Sequence, residues 1–358
     1  MLFYRRDRCF RAGNTAISGD VYETSGGNQT MIDLLIGTLT RMGGAGICYV
    51  RINHHRMTQL WADDSLTDPN WQLAGPNGRI FSVSNSGAEP MNGCVHELQI
   101  SPDGMKLLST QPTGGNEPCY LTLSEDGRYL LCANYGNGSL AVFPLLKEEI
   151  GERIQLVQHS GSGPHPTRQT GPHLHQITRI PHLPGCFCAV DLGLDELFVY
   201  KQDENGLLHE CYRVAVPAGQ GPRHVAYGPH GTAFLVTELG NRVYPVLLEN
   251  NGGHVVGEGV STLERSDTPN TAAALWLSSD GTSLYASNRG EGSIVRFTPS
   301  PLKKEQAIVL PGKEPRDFCL LEKETLVAAC QDQGLYLVCN GETVDFLPCP
   351  GAVRVIRL

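Results

Sequence analysis

Short apolar runs, alternating with polar residues or closed by Gly, Pro, Asn and Asp, recur along most of the chain, whereas a 3.6-residue helical period is hard to find. The clearest unit is Gly221-Pro222-Arg223-His224-Val225-Ala226-Tyr227-Gly228-Pro229-His230-Gly231-Thr232-Ala233-Phe234-Leu235-Val236-Thr237-Glu238. It predicts two antiparallel strands around a Pro-His-Gly turn, which brings Arg223 at the start of one strand beside Glu238 at the end of the other. The same unit returns from Cys119 to Asn134, His175 to Asp191, Ala273 to Asn288, Arg316 to Gln331 and, more faintly, Asn70 to Asn85.

The spacing supports this alignment. Five of the six hairpins put 15 residues between these markers, and His175 to Asp191 is 16. Ile32-Asp33-Leu34-Leu35-Ile36-Gly37-Thr38 reads as a second strand without a first, and Pro350-Gly351-Ala352-Val353-Arg354-Val355-Ile356 as a first strand without a second. Pairing the two closes a ring and removes an exposed sheet edge. Repeats of roughly 40 to 50 residues with several strands each define a β-propeller. The expected fold is therefore all-β: a seven-bladed propeller over residues 31–358 closed by pairing of the N- and C-terminal strands, with 1–30 as an N-terminal extension.

Composition narrows the function classes. The 41 Gly and 23 Pro suit many turns. A formal charge of −9, with no basic stripe, argues against nucleic acid, and no apolar run is long enough to cross a membrane. The bulk field mildly repels anions, so an anion site must be assembled from local arginines. Twelve cysteines are scattered without metal-type pairs. Those at 119, 132, 188, 319 and 330 fall in apolar strands as small hydrophobes, which together with the absence of a secretory leader suits a reducing cytoplasm.

Because first strands start and second strands end at one face of a propeller, the repeat predicts a ring of side chains around one mouth. His175, Arg223, Glu238, Arg289 and Arg316 become neighbours although distant in sequence. One Arg–Glu pair is ordinary, but three guanidiniums with one carboxylate and one histidine leave positive charge for an anionic ligand. His173 faces the same way as His175; a zinc site there lacks a third ligand at a telling spacing and is opposed by the arginines, so no metal and no cofactor is expected. Arg316, His173, Asn134 and Asn288 are the expected substrate contacts. Asp191 is expected to anchor a turn, and His224 to point away from Arg223 into the blade packing.

These residues resemble the lactonase family of seven-bladed propellers. The matching text includes Ile36-Gly37-Thr38, Ala133-Asn134-Tyr135-Gly136, Arg168-Gln169 with His173-Leu174-His175, Asp191-Leu192-Gly193-Leu194-Asp195, Gly221-Pro222-Arg223-His224, Glu238-Leu239, Ser287-Asn288-Arg289-Gly290 and Pro315-Arg316-Asp317-Phe318. The resemblance implies His175, Arg223, Glu238 and Arg289 as catalytic residues and a small anionic lactone as ligand, with 6-phosphogluconolactone foremost. His175, at an ordinary imidazole pKa, is expected to be the base, with Glu238 orienting it or a guanidinium. A lactonizing cyclase acting on a carboxylated muconate and a non-catalytic interaction platform are the alternative readings. The chain is expected to act as a monomer or weak homodimer.

Overall fold

A computed structural model describes residues 31–358, apart from 88–89, 148, 229–230, 266–268 and 323. The expected extension 1–30 and the Pro229-His230 turn thus lie outside the described residues. Seven antiparallel sheets follow one another around a ring, and apart from two single 3-10 turns the regular structure described is strand. The closing sheet takes its innermost strand from the C-terminus: Ala352–Arg357 pairs with Ile32–Thr38 through Leu35 opposite Ile356 and Ile36 opposite Val355, as the split repeat requires. Ile47–Asn53 and Arg56–Asp63 complete this first blade. Its outermost strand lies in the polar stretch after Asn53, where a strand is not expected from apolar alternation. An outer strand faces solvent on both sides, so its burial, and with it the apolar signal, is largely absent.

Blades three to seven open with the inner strands Pro118–Leu123, Leu174–Arg179, Pro222–Tyr227, Thr271–Leu277 and Pro315–Glu322, each paired with the next strand of its sheet. Blade two begins with the short Gln72–Ala74 beside Ile80–Ser84. Packing between blades supplies the core. Leu34, Ile36, Cys48 and Val50 of blade one are fully buried against Val327, Ala329 and Leu335 of blade seven. Removing apolar area of this kind from water is the main favourable contribution to folding, and it has no counterpart within an isolated sheet.

The register contains a detail that even spacing conceals. In blades three, four, five and seven the inner strand carries a β-bulge, and the extra residue is Cys119, His175, Arg223 or Arg316. A bulge bends the strand and re-aims the extra side chain. It is thus the local device that presents these four residues at the channel mouth.

Candidate functional site

The bulged residues converge on a cavity of about 220 Å³ at one mouth, with His175, Arg223, Glu238, Arg289 and Arg316 among its lining, as the repeat predicts. Glu238 lies one residue beyond the strand Ala233–Thr237 and is 1% exposed. Its carboxylate pairs with Arg223, with Arg289 Nη2 at 2.9 Å and with Arg168 Nη2 at 2.5 Å. Burial alone would raise the Glu238 pKa, but Arg289, Arg223 and Arg168 outweigh it and hold the carboxyl well below the usual range. Its partners are guanidiniums, so of the two roles expected for Glu238 the geometry selects arginine positioning.

Among the described residues Arg316 pairs with no carboxylate. It donates from Nη1 to Gln331 Oε1 at 3.3 Å, and burial together with Arg223 and Arg289 pulls its pKa down to about 9. The Nε atoms of Arg223 and Arg289 are buried without an acceptor. In all, five guanidiniums face this cavity, counting Arg41 and Arg168, against the two carboxylates Glu117 and Glu238. Charge-assisted hydrogen bonds to an anion are the natural complement.

His175 is 4% exposed and sits against the ring of Tyr135, with centroids 5.5 Å apart. Its pKa lies well below the ordinary imidazole value, because burial, Arg223 and His224 all penalise the imidazolium. The expectation of an ordinary pKa is therefore corrected: at neutral pH His175 is wholly the neutral acceptor. Cys119 also lines the cavity, but burial pushes its thiol up to about 12, so it is no thiolate nucleophile there.

Three expected substrate contacts take other positions. Asn134 and Asn288 are fully buried outside the cavity lining; Asn134 donates to Ser139 Oγ at 3.0 Å, and Asn288 to Thr262 O at 2.8 Å and Ser293 Oγ at 3.1 Å. The pairing explains why: Pro222 faces Thr237, Pro118 faces Asn134 and Ala272 faces Asn288, so the true counterparts of Glu238 are Tyr135 and Arg289. Blades three and six hold one more residue in the hairpin, and a one-residue slip turns a side chain to the other face. His173 also lies outside the lining; it stacks on Tyr135 at 4.6 Å and reaches Tyr135 O from Nδ1 at 3.0 Å, which makes it a support of the wall.

His224 departs from expectation as well. Its ring is 5.2 Å from His175, 5.5 Å from Tyr120 and 6.0 Å from Trp71. Residues of blades two, three, four and five can meet only at the channel axis, so His224 faces the channel. The bulge at Arg223 places two consecutive residues on that side.

Arg168 and Tyr135 line this cavity without being among the expected site residues. Arg168 arrives from the segment between Gln155–Gln158 and Leu174–Arg179, outside any strand register. Asp191 anchors that segment as expected: it accepts hydrogen bonds from His159 Nδ1 at 2.7 Å, His173 N at 2.8 Å and Gly193 N at 3.0 Å, while Gln169 Nε2 reaches Leu192 O at 2.9 Å. Tyr135 accepts from Arg168 Nη2 at 3.2 Å. The length of the segment and its Arg-Gln-Thr-Gly-Pro-His ending are the available sequence signals for Arg168.

The mouth of this seven-bladed propeller thus joins a neutral histidine to an excess of guanidiniums over carboxylates. Residues 33–338 match the family model described as Lactonase, 7-bladed beta-propeller. The chain belongs to this lactonase family and is thereby a lactone-hydrolysing enzyme, a carboxylic-ester hydrolase. It is 30% identical over 313 residues to a 6-phosphogluconolactonase of Bacillus subtilis, covering 83% of this chain and 87% of the relative. Among solved structures, a periplasmic gluconolactonase of Pseudomonas aeruginosa superposes with a TM-score of 0.83 at 26% identity, over 92% of this chain and 99% of that one. A Lactobacillus plantarum protein does so with 0.82 at 28% identity, over 92% and 100%.

Proposed function

We propose that the cavity hydrolyses the lactone of a phosphorylated sugar acid, 6-phosphoglucono-δ-lactone to 6-phosphogluconate. The observation that carries this reading is a wholly neutral His175 beside guanidiniums that outnumber their carboxylates.

Water attacks the lactone carbonyl carbon while His175 takes one of its protons. The carbonyl oxygen becomes an oxyanion, and the neighbouring Arg223 and Arg289 stabilise the charge as it develops. Glu238 cannot compete as base, since three guanidiniums keep it ionised and engaged. Instead it fixes Arg223 and Arg289 in place before the substrate arrives, which reduces reorganisation during reaction. When the tetrahedral intermediate collapses, the C–O bond to the ring oxygen breaks. The imidazolium returns the proton to that oxygen, leaving a hydroxyl and a carboxylic acid that ionises.

The test follows the opening of freshly prepared 6-phosphoglucono-δ-lactone above its spontaneous rate, with the Arg289→Ala protein alongside. Acceleration that falls by about 10²–10³-fold in the variant is expected for loss of one oxyanion donor. No acceleration by the wild-type protein would overturn the assignment.

A further inference from the structure

The polar groups of the cavity divide by blade. On the side built by blades three to six lie His175, Arg223, Glu238 and Arg289, a set that already contains its own counter-charge. On the side built by blades seven, one and two lie Arg316, Arg41, Asn70 and Asn85, with no carboxylate among the four. Arg316 donates to Gln331, and Arg41 commits Nη1 to Asp68 while its side chain stays 50% exposed. The Oδ1 atoms of Asn70 and Asn85 are buried and have no partner, so each can accept from a donor such as a sugar hydroxyl. The two neighbouring faces of one small cavity therefore differ: on the second, Arg41 has Asp68 as its counter-charge, and Arg316 pairs with no carboxylate among the described residues.

Arg41 is also held ready. It lies in the 3-10 turn Thr40–Met42, which docks on the buried Asp68: Arg41 N donates to Asp68 Oδ1 at 3.1 Å, Thr40 Oγ1 donates to the same atom at 3.2 Å, and Asp68 N reaches Thr40 Oγ1 at 3.2 Å. Asp68 adopts φ +49°, a left-handed conformation that a non-glycine residue takes only where its surroundings impose it. A turn tethered by three bonds to a strained residue holds a guanidinium at the rim with little freedom to lose on binding.

We propose that Arg41 and Arg316 form a phosphate subsite that selects phosphorylated over unphosphorylated lactones, while Asn70 and Asn85 accept from sugar hydroxyls and the lactone ring lies against His175. This rests on the lactone reading above. A phosphate dianion presents several acceptor oxygens and suits two guanidiniums that keep further donors beside their bonds to Asp68 and Gln331. Burial and the nearby Arg223 and Arg289 already disfavour the Arg316 cation, so an anion beside it relieves that repulsion. Relatives described as a 6-phosphogluconolactonase and as a gluconolactonase differ in name by this one group, which makes its recognition a point at which such a site can vary.

The decisive experiment compares kcat and KM for 6-phosphoglucono-δ-lactone and for glucono-δ-lactone in the wild-type, Arg41→Gln and Arg316→Gln proteins. It also measures binding of 6-phosphogluconate and gluconate by calorimetry, with thermal unfolding of each variant recorded. The expected result is a rise in KM for the phosphorylated lactone of roughly 10-fold or more in each variant, the scale of one charge-assisted hydrogen bond. In Arg41→Gln, kcat and the unphosphorylated substrate should stay near wild type. Equal losses on both lactones would assign Arg316 to the reacting carbonyl and overturn the subsite. So would a wild-type enzyme indifferent to the phosphate. If the wild-type protein opens neither lactone, the lactone reading fails alone, and calorimetry still decides: tight 6-phosphogluconate binding weakened by Arg41→Gln upholds the subsite, and equal binding of both acids overturns it. Arg41, half exposed and off the strands, is the variant in which folding is least at risk.

Discussion

Two buried carboxylates, Glu238 at the mouth and Asp317 deeper in the channel, each hold arginine in this propeller, and they do so on opposite terms. Asp317 pairs with Arg354 at 2.9 Å and also accepts from Trp276 Nε1 at 2.8 Å and Val355 N at 3.3 Å. Arg354 in turn lies 3.7 Å above the Trp71 ring and 5.3 Å from that of Trp276. One charge meets one charge, aromatic rings cover the cation, and every contact is made by the protein itself. Glu238 meets three guanidiniums with a fourth, Arg316, lining the same cavity, and buried nitrogens of Arg223, Arg289 and His175 have no partner. The Asp317–Arg354 pair is balanced in charge, whereas the Glu238 cluster is not and leaves buried guanidinium nitrogens unpaired. The count of charges and orphaned donors separates the two where burial alone does not.

The largest effect expected is from breaking both carboxylates in the same way. Glu238→Gln leaves three guanidiniums around a neutral amide and Asp317→Asn leaves Arg354 uncompensated, so each should lower stability by about 3–5 kcal/mol in chemical denaturation. The distinction appears in the folded protein: the Glu238 variant should lose turnover almost entirely, and the Asp317 variant should keep its kcat/KM. If Asp317→Asn abolishes turnover as completely, the division between mouth and channel is wrong.

His175→Ala comes next, with an expected 10²–10⁴-fold fall in kcat in a protein that remains folded under assay conditions, the usual range for a lost general base. The pH profile sharpens the same point. Burial and the flanking Arg223 and His224 depress the His175 pKa, so the proton that would disable the base binds only at lower pH. Activity should hold level from neutral pH through 6.5 and fall well below it. An acid limb centred near 6.5 would mean a solvated imidazole and a different base.

The smallest effect expected is from Tyr135→Phe. It removes one hydrogen bond to Arg168 but leaves the ring against His175 and His173 and the ion pair of Arg168 with Glu238. A net contribution of about 1 kcal/mol implies a change in kcat/KM of several-fold. A much larger loss would give the phenol itself a role in the reaction.

The architecture was legible in the repeat, because every blade solves the same problem with strands and turns in one order, and the closing strand announces itself as a half-hairpin at each end of 31–358. The convergence of His175, Arg223, Glu238, Arg289 and Arg316 followed from that order, since equivalent positions of a ring must meet at one mouth. Arg168 and Arg41 escaped it. One lies outside strands in a segment tied down by Asp191 and Gln169, the other in a 3-10 turn tied to Asp68, and neither position is an equivalent of anything in the other blades.

What the chain by itself determined is thus the number of blades, their closure and the set of charges sent to one face; periodicity and turn chemistry are local, and seven copies reinforce one another. What only the tertiary structure decided is which side chains enter the cavity. A single bulge or one additional residue in a hairpin turns a side chain from wall to lumen, as it does for Arg223 and His224 and, in the reverse sense, for Asn134 and Asn288. The same holds for the titration of His175. Its depressed pKa arises from burial and from guanidinium and imidazole neighbours brought by another blade, an environment that no stretch of sequence around residue 175 contains.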